Sequence, residues 1–208
     1  MKKIFGVLIA TLMGLASTAA MATPEKGWHK GSYALLGIGM MNVDEDTNVV
    51  NNTAFGSRNI LGYGLTFGWN FLDFLAAELQ MRYGSDTAGG AREHAVNADI
   101  LLKYSLILDV LTRNETVRFL PYIKGGAGVF GAAVPDSSAG NNRFGVYGYG
   151  GVMGTGMEVL IAKLFYVAAD VNLHLISLQS HTNSAGVRIL NGGFDPQLSV
   201  FGYFGVHF

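Results

Sequence analysis

The sequence predicts an all-β fold, a transmembrane eight-stranded antiparallel up-and-down β-barrel, on three observations. The chain is 50% hydrophobic but only 14% charged, with 29 Gly, and its mean hydropathy is +0.30. Beyond residue 22 it has no run of ~20 apolar residues that could cross a bilayer as a helix; the longest, Val159 to Ala169, is interrupted by Lys163. Apolar residues instead alternate with small or polar ones in eight segments, each about the 9–11 residues that a tilted strand needs to cross. The same composition excludes other classes. So apolar a chain is not intrinsically disordered. With no Cys it has no disulfide scaffold, no Cys-ligated zinc or iron–sulfur site and no thiol nucleophile. A net charge of −1 gives no global signal for nucleic acid.

The first element is an address. Lys2 and Lys3 form a basic start, Ile4 to Ala16 is an apolar run, and Ala20-Met21-Ala22 offers small residues at both positions of a cleavage site. This predicts a cleavable secretory signal peptide over 1–22, a mature barrel domain over 23–208, and export by the Sec route of a bacterium.

The strands follow in order. In Tyr33 to Met41, the residues Ala34, Leu36, Ile38 and Met40 oppose Gly37 and Gly39. Ile60 to Phe71 is the clearest case, with Leu61, Tyr63, Leu65, Phe67, Trp69 and Phe71 opposite Gly62, Gly64, Thr66, Gly68 and Asn70. Phe74 to Tyr83 sets Leu75, Ala77, Leu79 and Met81 against Glu78, Gln80 and Arg82. His94 to Leu106 sets Val96, Ile100, Leu102 and Tyr104 against Asn97, Asp99, Lys103 and Ser105. Phe119 to Phe130 carries Lys124, Gly126 and Gly128 on its small face. Phe144 to Val159 carries Gly148, Gly150, Gly154, Gly156 and Glu158 there, and Phe165 to Ser177 carries Asp170, Asn172 and His174. Gln197 to Phe208 ends the chain, with Leu198, Val200, Phe204 and Val206 opposite Ser199, Tyr203, Gly205 and His207. A soluble sandwich would bury its apolar face and carry charge outside. Here the charges share a face with the glycines, as expected of a narrow lumen that side chains can fill.

Connections alternate in length. Asn42 to Arg58, Gly84 to Arg92, Gly131 to Arg143 and Gln179 to Gly193 read as long loops, whereas Leu72-Asp73 and Ile161 to Leu164 are tight. Short turns belong on the periplasmic side, so both mature termini are expected there. Ile107 to Val117 is long for such a turn, and its Leu108, Leu111 and Arg113 are read as a short interfacial helical turn. Outward aromatics sort toward strand ends: Trp69, Phe71, Tyr104, Phe119, Phe165 and Phe208 at the periplasmic ends, Tyr83, Tyr147 and Tyr149 at the outer ends. Two such girdles fit a bilayer, because amphipathic rings prefer headgroup level.

The inward charges are Glu78, Arg82, Asp99, Lys103, Lys124, Glu158 and Asp170, with His174 and His207 on the same faces. Charges in a narrow lumen must be paired or hydrated. The expected result is an ion network that plugs and stiffens the barrel; the alternative is a gate that opens when ion-pair partners switch. The pairs themselves depend on strand register, which alternation alone leaves open.

Three segments carry a resemblance. Pro121-Tyr122-Ile123-Lys124-Gly125-Gly126-Ala127-Gly128-Val129, Gly154-Thr155-Gly156-Met157-Glu158 and the terminal Phe201-Gly202-Tyr203-Phe204-Gly205-Val206-His207-Phe208 resemble the small outer-membrane β-barrel superfamily of Gram-negative bacteria, the OmpA-, OmpX- and OmpW-like eight-stranded barrels, without a periplasmic domain. The resemblance implies a bacterial outer-membrane location, contact with outer-membrane lipid and lipopolysaccharide, and delivery to the barrel-assembly machinery through a C-terminal signal carried by Tyr203, Phe204, Val206 and Phe208. A monomer without cofactor, metal or nucleic-acid partner is expected.

One segment is enzyme-like. His181-Thr182-Asn183-Ser184-Ala185-Gly186 is similar to the His-x-Ser-Asn-Ala-Gly stretch of PagL-type lipid A deacylases, which pair a Ser nucleophile with a His base and an acid. Asn183 and Ser184 are swapped relative to that pattern, which sets the serine on the opposite strand face from the His. His181, Ser184 and Asp195 are the catalytic candidates, and no enzymatic activity is expected. Gly126 to Gly131 matches G-x-G-x-x-G formally, but no helix follows it. Asp44-Glu45-Asp46 reads as a solvated loop cluster. The expected role is structural or surface interaction through the outer loops, with a narrow solute channel as the alternative and lipid A hydrolysis as the remote one.

Overall fold

The computed structural model describes residues 30–43, 58–88, 91–106, 117–135, 143–179, 181–182, 188–190 and 193–208. The signal segment, the Asp44 to Asp46 cluster and the long connection at 107–116 lie outside the described residues. Ten strands run along the chain: β1 Gly31–Val43, β2 Arg58–Leu72, β3 Leu75–Ala88, β4 Ala91–Ser105, β5 Val117–Pro135, β6 Arg143–Ile161, β7 Phe165–Leu178, β8 His181–Thr182, β9 Arg188–Leu190 and β10 Gly193–His207. Eight of them close a barrel in the order β1-β10-β7-β6-β5-β4-β3-β2, while β8 and β9 pair only with each other. Every barrel pairing is antiparallel. The eight long strands coincide with the eight alternating segments of the sequence.

The register fixes how the barrel is sheared. Following paired residues from Gly31 through Asn70, Ala76, Lys103, Lys124, Gly154, Asn172 and Ser199 returns to β1 at Met41, ten residues further along (41 − 31 = 10). A row of paired residues therefore climbs toward the loop end as it passes from β10 to β1, β2, β3 and β4. This stagger is the tilt that closure requires.

Alternation sorts residues between two environments. Burial along β10 alternates strictly from Phe194 to Gly205, because successive side chains point to opposite faces. Outside, large apolar groups stand exposed: Ile100 is 71% accessible, and Leu61, Ile123, Val129 and Phe204 are comparably open. An apolar face of this extent marks a surface that meets a membrane or a partner. Its Thr155 donates its hydroxyl to the Tyr122 carbonyl oxygen at 2.9 Å, so the outward hydroxyl is satisfied by backbone. Inside, glycine makes room for its neighbours. A β-carbon on Gly68 would overlap the Tyr33 ring, and one on Gly128 would overlap the Asp99 carboxylate.

The two ends differ. At one, Ile161 closes a hairpin to Leu164, whose N–H donates to the Ile161 oxygen at 3.1 Å. The central residues Ala162 and Lys163 both have positive φ, 51° and 62°, the conformation of a two-residue type I′ turn whose twist matches the strands. At the opposite end the strands reach into segments expected as loops: most of Gly84 to Arg92 is strand, and so are the first residues of Gly131 to Arg143. β3 continues to Ala88, β4 begins at Ala91, and β5 continues to Pro135. The Gln179 to Gly193 loop likewise holds β8 and β9. Ladders within hairpins outrun those between them: β5 pairs β6 as far as Pro135 and Arg143, whereas β4 pairs β5 only to His94 and Ala133. Backbone pairing needs no apolar face, so these ribbons persist where the alternation that marks a strand in sequence has already stopped. Phe74, expected to begin the third strand, instead lies in the turn with Asp73.

Candidate functional site: a buried ion network in the barrel interior

All eight inward ionisable residues from Glu78 to His174 are buried, none more than 5% accessible. They come from β3, β4, β5, β6 and β7, and the stagger of the strands brings them to neighbouring heights. Two clusters result.

The lower cluster centres on Lys103. Its ammonium lies 2.6 Å from a Glu158 oxygen and 3.0 Å from Glu78 Oε1, and it donates to the Tyr33 hydroxyl at 2.6 Å. Tyr33 in turn donates its O–H to Glu78. The ammonium also sits 4.3 Å from the Tyr33 ring centroid and 5.4 Å from that of Tyr122, within cation–π range. Two carboxylates and two aromatic faces thus replace the hydration shell of one buried cation.

The upper cluster centres on Arg82. Its Nη1 lies 2.7 Å from Asp99 Oδ2, and its Nε donates to the Tyr203 hydroxyl at 3.3 Å. His174 Nε2 lies 3.0 Å from the same Asp99 oxygen. The guanidinium carbon stands 5.3 Å over the Phe201 ring. Lys124 joins the clusters. It pairs with Asp170, donates to Gln80 Oε1 at 3.2 Å, and stands 4.0 Å from Glu78. Arg82 also donates to Gln80 and lies 4.0 Å from Asp170, and Asn172 donates to Asp170 Oδ1 at 2.8 Å. Charges taken out of water need partners of this density, since a buried ion without one costs several kcal/mol.

Apolar layers bound the network. Toward the loop end, Met41, Ile60, Phe130, Ile176 and Leu178 point inward and are buried; toward the tight-turn end, Leu120, Leu160 and Tyr166 do the same. His207, which shares the inward face, stands at the tight-turn end with its ring 5.7 Å from that of Tyr166.

Several members were not named from sequence as part of the network: Tyr33, Gln80, Tyr122, Asn172 and Phe201. Parity alone places Tyr33 with Gly37, and Tyr122 with Lys124, on the inner face. The expectation that barrel aromatics gather at the membrane boundary concealed them. Of the catalytic candidates, Ser184 lies outside the described residues, His181 belongs to β8, and Asp195 is buried at the loop end of β10, accepting from Gln197 Nε2 at 3.1 Å. Among the described residues, no group of three or more His, Asp or Glu is placed to hold a metal ion.

No family model matches the chain, and no curated protein matches it. Solved structures do. The crystal structure of neisserial surface protein A is similar at 12% identity and a TM-score of 0.61, covering 86% of this chain and 98% of that one. The N-terminal β-barrel domain of Pseudomonas aeruginosa OprF is similar at 13% identity and a TM-score of 0.53, covering 86% and 98%. The attachment invasion locus protein Ail of Yersinia pestis, solved with the heparin analogue sucrose octasulfate, is similar at 13% identity and a TM-score of 0.51, covering 86% and 99%. What this chain shares with them is the fold, a closed eight-stranded antiparallel barrel of the outer-membrane type.

Proposed function

We propose that this chain is a Gram-negative outer-membrane barrel with a structural or surface-interaction role, exercised through its long loops and without enzymatic activity. In this reading the N-terminal segment is a cleaved export signal and both mature termini are periplasmic. Lipid and lipopolysaccharide cover the apolar wall, and the C-terminal strand carries the signal for assembly. The observation that supports it best is the buried network bounded by apolar layers on both sides. In this reading the interior, occupied by ion pairs and packed side chains, acts as a plug, and the loops are the interacting part.

The chain has no Cys, which makes single-cysteine labelling a clean test. With Ser137→Cys in a long loop and Lys163→Cys in a tight turn, a membrane-impermeant maleimide on intact cells should label position 137 alone. Position 163 should react only after the outer membrane is permeabilised. The reverse pattern, or recovery of the protein in the soluble periplasmic fraction, would overturn the assignment.

A second reading rests on a particular geometry. Lys124 and Arg82 each pair with one carboxylate and have a second 4.0 Å away, so an exchange of partners could open a narrow passive channel. Steady single-channel currents would decide for it. A lipid A hydrolase at the His181 loop would instead show as an altered acyl pattern in lipid A mass spectra.

A further inference from the structure

Inward glycines are held by packing, but the outward ones, Gly125, Gly131, Gly151 and Gly202, meet nothing nearer than 3.6 Å. A β-carbon on Gly202 would meet only the Ile38 carbonyl oxygen at 4.0 Å, and one on Gly151 would meet nothing within 4 Å. Where large apolar neighbours surround it, a missing side chain leaves a hollow. At Gly202 the hollow is about 670 Å³ and is walled by Leu36, Ile38, Tyr63, Met81 and Tyr83.

The hollow has a direction. Gly202 pairs with Ile38, Ile38 with Tyr63, Tyr63 with Tyr83, and Tyr83 with Val96. Four interstrand steps make a row about 19 Å long. The shear of the barrel makes it climb obliquely from β10 toward the loop end on β3 and β4. Its upper end is polar. The Tyr83 hydroxyl lies 2.6 Å from His94 Nδ1, and the two rings stack with centroids 5.9 Å apart. That bond engages Nδ1 and leaves Nε2 as the ring nitrogen that can meet a headgroup. Tyr63, 61% accessible, pairs with Tyr83 across the β2–β3 ladder and brings a second phenol to this part of the wall.

We infer that this face seats one acyl chain of a phosphate-bearing amphiphile of the outer leaflet, with the phosphate at His94. The inference rests on the outer-membrane reading above. One leaflet of hydrocarbon is about 15 Å deep, so an oblique row of this length accommodates a single chain ending at headgroup level. A phosphate offers several acceptor oxygens to the imidazole and phenol donors gathered there.

Native mass spectrometry of the full chain refolded in detergent tests this, with lipid A and chemically dephosphorylated lipid A as probes. The expected result is one retained lipid A per barrel, with the dephosphorylated form retained about tenfold more weakly. Gly202→Phe should abolish the adduct, Gly151→Phe on the far wall should not, and His94→Gln should equalise the two probes. A ladder of several lipids unchanged by Gly202→Phe would overturn the site. Equal retention of both probes by the wild type would overturn the phosphate assignment. Heat-modifiable migration on gels and recovery in the outer-membrane fraction check the barrel itself. A variant that keeps both properties and binds like wild type contradicts the groove alone.

Discussion

The two faces of one β-sheet solve opposite problems here. The outer face exposes Ile100, Leu61 and Phe204 and is satisfied by whatever apolar solvent surrounds it. The inner face is buried, and its charges pair with one another within the protein. Lys103 does so with Glu78, Glu158 and two aromatic rings. The outer face is therefore tolerant of which apolar residue it carries, and the inner face is specific in nearly every position. Glycine shows the same contrast: required inside at Gly68, optional for packing outside at Gly151.

Substitutions that cross this divide separate the two faces by size of effect. The largest loss is expected for Lys103→Met, which leaves Glu78 and Glu158 without their shared cation. Breaking a buried pair in this way costs about 3–5 kcal/mol, and urea unfolding in lipid vesicles should read that loss. Ile100→Arg places a charge on the wall instead and should cost about 2–4 kcal/mol if the residue lies near the bilayer midplane. The same experiment checks it, and a null effect would mean the face is not in lipid. Gly68→Ala forces the Tyr33 ring aside and should cost about 1–3 kcal/mol as overpacking. Gly151→Ala should be the smallest effect and of opposite sign, a gain of about 0.5–1 kcal/mol from reduced freedom of the unfolded chain. Matching signs at positions 68 and 151 would erase the distinction between the faces.

The fold was legible in the sequence because lipid and lumen impose a period of two that survives without any knowledge of register. The inner charges were legible for the same reason: Glu78, Arg82 and Lys103 each occupy the face of the glycines. Their pairing was not. Lys103 meets Glu158 across two intervening ladders, a contact set by the ten-residue stagger rather than by spacing in any one strand. Tyr33 and Tyr122 were hidden because tyrosine serves both faces, as a boundary residue outside and as a hydrogen-bonding wall inside. The outer strand ends were hidden because hairpins outside the bilayer pair without alternating. Gly202 shares the parity of Val200 and Phe204, so its outward face was legible; the hollow beside it was not, because that depends on which residues the register sets on the neighbouring strands.

The central claim is that the interior is filled by its own ion pairs rather than by water, and single-channel recording in planar bilayers measures this most directly. The purified full chain should show no steady conductance, and Lys124→Ala, which withdraws the cation linking the two clusters, should introduce openings. Steady openings of the wild-type barrel that vanish on Lys124→Ala would contradict the account.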